Sequence, residues 1–247
     1  MKKTAKTFSA DAIQTAVKAI NNKAAEIRTG EKIAVVKIAD GNHKTGQIPV
    51  FNVPPVVTCG HNCSACVHNC YALKDYLSGK DNNLSFKFNT VAGSHCRNMV
   101  ALQDNPEKAA DDLNKYFDKM TAPRFFRIHS SGDFALVIDG DPLKYARMWY
   151  DIAKNHPGTR FLAFTKCWDV AREIPFDTLP NFELVLSEWT DVLTAPADLK
   201  KRYKTSRAVN EIDDARDDEM ICPGNCDTCG MCWNLSKAGH GVAFEIH

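Results

Sequence analysis

The chain has 247 residues, 44% hydrophobic and 25% charged, so it can bury a core without disulfide staples. Formal net charge is +1, from 31 Lys and Arg against 30 Asp and Glu. That balance excludes a global field favouring nucleic acid or an acidic membrane, and no stretch is long and apolar enough to span a bilayer. Met1-Lys2-Lys3-Thr4 looks like the start of a signal peptide, but Lys6, Thr7 and Ser9 replace the apolar run that must follow. The expected compartment is a reducing cytosol, where close-spaced cysteines bind metal more often than they oxidise.

Ile13, Val17, Ile20, Ala24 and Ile27 recur at helical spacing and predict an amphipathic helix over 10–28, ended by Gly30. Ile33 to Ile38 is a β-branched run and reads as a strand, followed by a turn over Gly41 to Gly46. The segment 48–57 is apolar but carries Pro49, Pro54 and Pro55, which suits an extended edge segment rather than a central strand. A short helix is expected over 71–77, and a longer one over 94–120 with an interruption at Pro106. Apolar strands follow at 124–129, 160–165 and 183–187, with a last one at 242–246. Helices at 142–155, capped by Asp141 with Pro142 at its first position, and at 168–173 alternate with them. The basic run Lys200, Lys201, Arg202, Lys204 and Arg207 reads as a solvated helix. The acidic run Glu211, Asp213, Asp214, Asp217, Asp218 and Glu219 reads as a loop.

This order predicts an α/β fold, either a partial (βα) barrel or an open parallel sheet, with a small C-terminal cysteine-rich module. The expected division is an N-terminal helical extension over 1–44, a body with the first cysteine block over 45–210, and a C-terminal module over 211–247.

Eight of the ten cysteines fall into two blocks. The first is Cys59, Cys63, Cys66 and Cys70; the second is Cys222, Cys226, Cys229 and Cys232. Gaps of two and three residues let one loop turn several sulfurs toward a single centre. By count, four thiolates suit zinc or a [4Fe-4S] cluster. Zinc knuckles usually pair Cys-x2-Cys with a longer gap between pairs, so the dense runs here favour iron–sulfur, one cluster or two. Cys59-x3-Cys63-x2-Cys66 also has the spacing seen in radical S-adenosylmethionine enzymes, although Ala65 stands where that motif usually carries an aromatic ring. Cys70 would fill the open iron and make the cluster structural or electron-transferring. Cys96 and Cys167 read as small buried hydrophobes by default.

In parallel sheets, ligands bind at the carboxyl ends of the strands. Those tips carry His129-Ser130-Ser131-Gly132-Asp133, Thr165-Lys166-Cys167 and Ser187-Glu188-Trp189. His129, Asp133, Lys166 and Glu188 are therefore the candidate catalytic residues, with Gly132 allowing close approach of a ligand. A strand-end ion pair between Lys166 and Glu188 is the plainer reading of those two.

Taken together, Ile48-Pro49-Val50-Phe51-Asn52-Val53-Pro54-Pro55, Cys70-Tyr71-Ala72, Phe126-Arg127-Ile128-His129-Ser130-Ser131-Gly132-Asp133-Phe134, Phe161-Leu162-Ala163-Phe164-Thr165-Lys166, Cys222-Pro223-Gly224 and Cys232-Trp233 resemble the phage "gene product eighty-eight" family over about residues 45 to 247. The resemblance implies a phage-encoded protein working in the cytoplasm of an infected bacterium. The layout is similar to radical S-adenosylmethionine enzymes, which implies that Ser131, Gly132 and Asp133 bind that cofactor. The expectation is an iron–sulfur protein running reductive chemistry on a small molecule or modified nucleotide. The alternative is a non-enzymatic, zinc- or cluster-stabilised protein that modulates a host factor.

Overall fold

A computed structural model describes residues 7–30, 34–42, 45–78, 85–86, 90–119, 121–190 and 192–246. In chain order the elements are α1 (Ala10–Gly30), β1 (Ile38–Ala39), β2 (Val50–Phe51), β3 (Leu77–Ser78), β4 (Ser85–Phe86), α2 (Thr90–Asp104) and α3 (Pro106–Phe117). Then come β5 (Phe125–Ile128), α4 (Lys144–Asn155), β6 (Arg160–Thr165), α5 (Trp168–Glu173), β7 (Phe182–Trp189), α6 (Ala197–Lys200) and β8 (Lys204–Val209). The chain ends with β9 (Glu219–Ile221), α7 (Cys226–Cys229), α8 (Leu235–Ala238) and β10 (Gly241–Glu245). Ile33 and the tip of the 41–46 turn lie outside the described residues.

Eight strands form one sheet in the order β1-β2-β5-β6-β7-β8-β10-β9, and β3 pairs with β4 in a separate two-stranded sheet. All neighbours in the large sheet run parallel except β1 against β2. The protein is thus mixed α/β, with the near-continuous apolar strands that burial on both faces demands. β2 is not an edge: it pairs with β1 and β5, but for two residues only, so Pro49 and Pro54 fall just outside the ladder.

The basic run is not a solvated helix. Its second half is β8, which pairs with β7 and β10. Arg207 is buried there because Nε and Nη2 hold Glu219 at 3.0 and 2.7 Å, and Glu219 belongs to β9. A buried bidentate pair, with a further bond from Nη2 to the Asp214 carbonyl, lets a charged residue sit inside a sheet. The segment 205–221 therefore contributes β8 and β9 to the main sheet.

The helices α2 to α6 gather on one face, and the short α7 and α8 lie on the other. Phe126, Ile128, Phe161, Ala163, Leu184 and Leu186 of the sheet share a core with Leu113, Phe117, Trp149 and Ile152 of α3 and α4. The opposite face buries Leu162, Val185 and Val242 under Cys232, Trp233 and Leu235. α1 runs across both the body and the first cysteine segment. Its first half, with Phe8, packs on Leu73 and Leu77 beside Cys70, and its second half joins the helical core through Ile20, Ala24 and Ile27. Phe8 is tied to His68 by two bonds of 2.7 Å, one from its amide and one to its carbonyl.

Candidate metal centre

The first cysteine block is a chain of 3₁₀ turns, His61–Ala65, Val67–Asn69 and Tyr71–Asp75, leading away from β2. Tight turns without apolar periodicity bring residues three and four apart to one side. The thiols act on one another pairwise: the charges of Cys63 and Cys70 disfavour the Cys59 thiolate, and that of Cys66 disfavours those of Cys63 and Cys70. Burial first, and neighbouring charge second, pushes the Cys59 thiol up, and burial pushes Cys70 up to about 11. Backbone amides work against this. The Val56 amide donates to Cys59 Sγ at 3.3 Å, and the amides of Leu73 and Ala72 favour the Cys70 thiolate. Val56 holds φ at +69°, a costly conformation for a β-branched residue, and that conformation accompanies its amide's approach to sulfur. Lys166 adds a cation that favours the thiolates of Cys63, Cys66 and Cys70. All ten cysteines are free thiols.

Asp133 is buried near these thiols and is fully engaged. Its Oδ1 accepts from the Phe134 amide at 2.7 Å and Thr165 Oγ1 at 2.6 Å, and its Oδ2 accepts from the Lys166 amide at 2.7 Å. It clamps the β5 tip to the β6 tip. Burial raises its pKa, and these bonds oppose the rise.

Gly132 approaches the chain itself rather than a ligand. With φ at +82°, a Cβ there would meet Val53 Cγ2 at 2.4 Å and Thr58 Oγ1 at 2.7 Å. Ser131 Oγ donates to the Val53 carbonyl at 3.1 Å, and the Ser130 and Ser131 amides both donate to Asn52 Oδ1. The turn expected to bind S-adenosylmethionine thus spends its polar groups on seating residues 52–58, the lead-in to Cys59.

His129 and Glu188 point away from the cysteines. His129 is buried among Phe134 and Tyr145, and its Nε2 lies 2.7 Å from Tyr145 Oη. Burial, aided by Arg127, lowers its pKa to about 3, so it is neutral. Glu188 is buried with Lys200 Nζ at 2.5 Å, Arg216 Nη1 at 3.5 Å and the Ala195 amide at 2.9 Å. Lys166 instead donates to Ser187 Oγ at 2.9 Å, so the expected Lys166–Glu188 pair does not form. Side chains alternate along β7, and Ser187 and Glu188 face opposite ways.

The second block sits on the opposite sheet face. Cys222, Cys226, Cys229 and Cys232 line one pocket with Met220, Met231 and Trp233, whose free space is about 10 Å³. Cys232 feels the other three thiols; burial pushes its pKa up to about 12, and Arg127 opposes the rise. Trp233 anchors the segment, its Nε1 donating to the Phe126 carbonyl at 3.3 Å. Among the described residues, no three His, Cys, Asp or Glu side chains stand together as they would to hold a metal ion.

The sequence marked Tyr71, the ring that follows Cys70, but not Arg127. Arg127 affects both Cys232 and Tyr71, and Tyr71 Oη donates to the Ser130 carbonyl beside Cys70. The alternation in Phe125-Phe126-Arg127-Ile128 was the available signal: an arginine in a central apolar strand has a partner to find.

The fold and this pair of sulfur-rich segments define a mixed α/β protein with two four-cysteine clusters, one at the sheet's carboxyl edge and one on its face. The family model described as Gene product 88 matches residues 15–235, so the chain belongs to that family. The match begins inside α1, well before residue 45. A relative, the Gene 88 protein of Mycobacterium phage D29, is 26% identical over 145 residues, covering 51% of this chain and 58% of that protein. No solved structure matches the chain. No helix among the described residues is long and apolar enough to cross a membrane.

Proposed function

We propose that this chain is an iron–sulfur protein whose first cysteine block holds a [4Fe-4S] cluster at the carboxyl edge of the sheet. The observation that carries the reading is the run of four thiols in consecutive 3₁₀ turns, with the Val56 amide on Cys59 Sγ at 3.3 Å and the Lys166 charge favouring the thiolates of Cys63, Cys66 and Cys70. Buried thiols that raise one another's pKa gain nothing from crowding unless a cation draws them together as thiolates. Amide-to-sulfur bonds and a nearby cation are the levers by which a protein stabilises and tunes such a centre. Cys59, Cys63, Cys66 and Cys70 would ligate, and Asp133, through its clamp on Thr165 and Lys166, would hold the sheet edge beneath them. Bound there, a cluster would supply one-electron chemistry.

The second block supports a different reading. Its pocket has room for about one water-sized sphere, which fits a single ion such as zinc better than a cubane. We assign it a structural role, tying the segment after β9 to the sheet.

Anaerobic purification followed by iron, acid-labile sulfide and zinc assay tests both readings. Iron and sulfide in equal amounts, lost in Cys59→Ser and kept in Cys226→Ser, are expected. A colourless protein carrying zinc alone at both blocks ends the cluster reading.

A further inference from the structure

The carboxyl halves of the central strands are unevenly covered. On the face opposite α2 to α6, Arg127 of β5, Phe164 and Lys166 at the end of β6, Ser187 and Trp189 of β7, and Phe244 of β10 are all only half-buried. Strands in the middle of an eight-stranded sheet normally lose such exposure to a covering layer. Here the C-terminal cysteine segment buries Leu162, Val185 and Val242, while Phe164 and Phe244 pack against the rim of that cluster and stay half-exposed.

The half-exposed part is shaped. The Phe164 and Phe244 rings lie 5.7 Å apart although β7 and β8 separate their strands. Strands three places apart in a flat sheet stand about 14 Å from one another, so the sheet curls round this face and the two rings form a floor. Arg127 lies over the Phe164 ring at 5.0 Å, with only Nε committed, to the His129 carbonyl. Lys166 is held by Ser187 Oγ alone. Among the described residues neither side chain makes an ion pair, although the Lys166 charge acts on buried Asp133 from a distance, whereas Arg207, Arg202, Arg147 and Arg28 are each paired with a carboxylate. Half-buried cations with open donors beside aromatic rings favour an anion attached to a planar body.

We propose that this hollow, between the two cysteine segments, binds a small planar molecule bearing a phosphate or carboxylate. The anion would lie on Arg127 and Lys166 and the ring on Phe164, Phe244 and Trp189. This deepens the reading of the edge as a working centre by naming its ligand class, but the hollow is built by the sheet and stands without metal.

Calorimetric titration of the full chain, with metal content measured in every sample, tests it. The probes are adenosine 5′-monophosphate, indole-3-acetate, adenosine and inorganic phosphate. One of the first two should bind saturably, and the two lacking either charge or ring should bind at least roughly tenfold more weakly. A preference for the nucleotide assigns a nucleoside phosphate; the reverse assigns an aromatic carboxylate. Arg127→Ala should lose at least roughly tenfold in affinity while keeping its metal. If that variant fails to fold, Arg127→Lys and Phe244→Leu replace it, with the same loss expected. Absence of binding by both charged aromatic probes overturns the proposal, as does adenosine binding as tightly as its phosphate, or affinity unmoved by these substitutions. Because metal is measured separately, loss of ligand with metal retained leaves the metal-centre reading intact.

Discussion

The two cysteine blocks have almost the same spacing and opposite support. The first is a run of 3₁₀ turns held from outside, by α1 through Phe8 and from beneath by the Ser131–Asp133 turn. The second is embedded in a small apolar core through Cys232, Trp233 and Leu235. One is backed by polar clamps and a cation at a sheet edge, where ligands reach it. The other is packed as structure is packed. Equal sulfur content therefore comes with unequal surroundings, polar and charged around the first block and apolar around the second, and the two proposed roles rest on that difference.

The contrast breaks most visibly at Trp233. It is 1% exposed and bonded to the Phe126 carbonyl, so Trp233→Ala should cost about 3–5 kcal/mol. Urea denaturation should show that loss, and metal assay should show the second block emptied with the first still loaded. Equal loss from both blocks would mean that they are one cooperative unit.

Gly132→Ala probes the first block from beneath. The added methyl collides with Val53 and Thr58 and sits at positive φ, so a loss of about 2–4 kcal/mol is expected. Iron should fall with it while the second block keeps its ion. An unchanged midpoint would mean that residues 52–58 shift freely, and the clamp would have no energetic meaning.

Acid should destabilise the helical side of the sheet, on which His129 and His95 are buried. Their pKa values fall to about 3 and about 4 through burial, His129 with help from Arg127. Each folded value lies below the ordinary 6.5, so the unfolded chain takes up protons first as pH drops. The stability is complete above about pH 6.5 and is lost progressively toward pH 4, by roughly 3 kcal/mol for each histidine in that window. Urea midpoints at pH 7 and pH 4.5 measure it, and His129→Gln should flatten the dependence.

The smallest effect is expected at the far end of α1. Arg28 holds Asp104 with Nε and Gln103 with Nη2, all largely in solvent. Arg28→Ala should cost about 0.5 kcal/mol and leave both metal contents unchanged. Loss of iron from the first block would show that α1 transmits strain along its length to the cysteine turns.

Much of the architecture was readable in order. Phe161-Leu162-Ala163-Phe164 and Glu183-Leu184-Val185-Leu186 are apolar enough that only buried strands suit them, and β6 and β7 lie there. β8 was hidden because Lys204 and Arg207 look like surface charge until Glu219, twelve residues on, arrives beside Arg207. The site was half legible. The cysteine spacing named the ligand candidates, and Gly132 announced a close approach, but the approaching atoms belong to Val53 and Thr58.

By itself the sequence determined the alternation of helix and strand, the two sulfur blocks and the polar strand tips, because periodicity and spacing are local properties. Only the tertiary structure decided that Lys166 reaches Ser187 while Glu188 holds Lys200 and Arg216, and that the Arg127 charge acts on both Cys232 and Tyr71. The physical reason is the register of a parallel sheet. A strand sends successive side chains to opposite faces, and which residue meets which is fixed by partners distant in the chain.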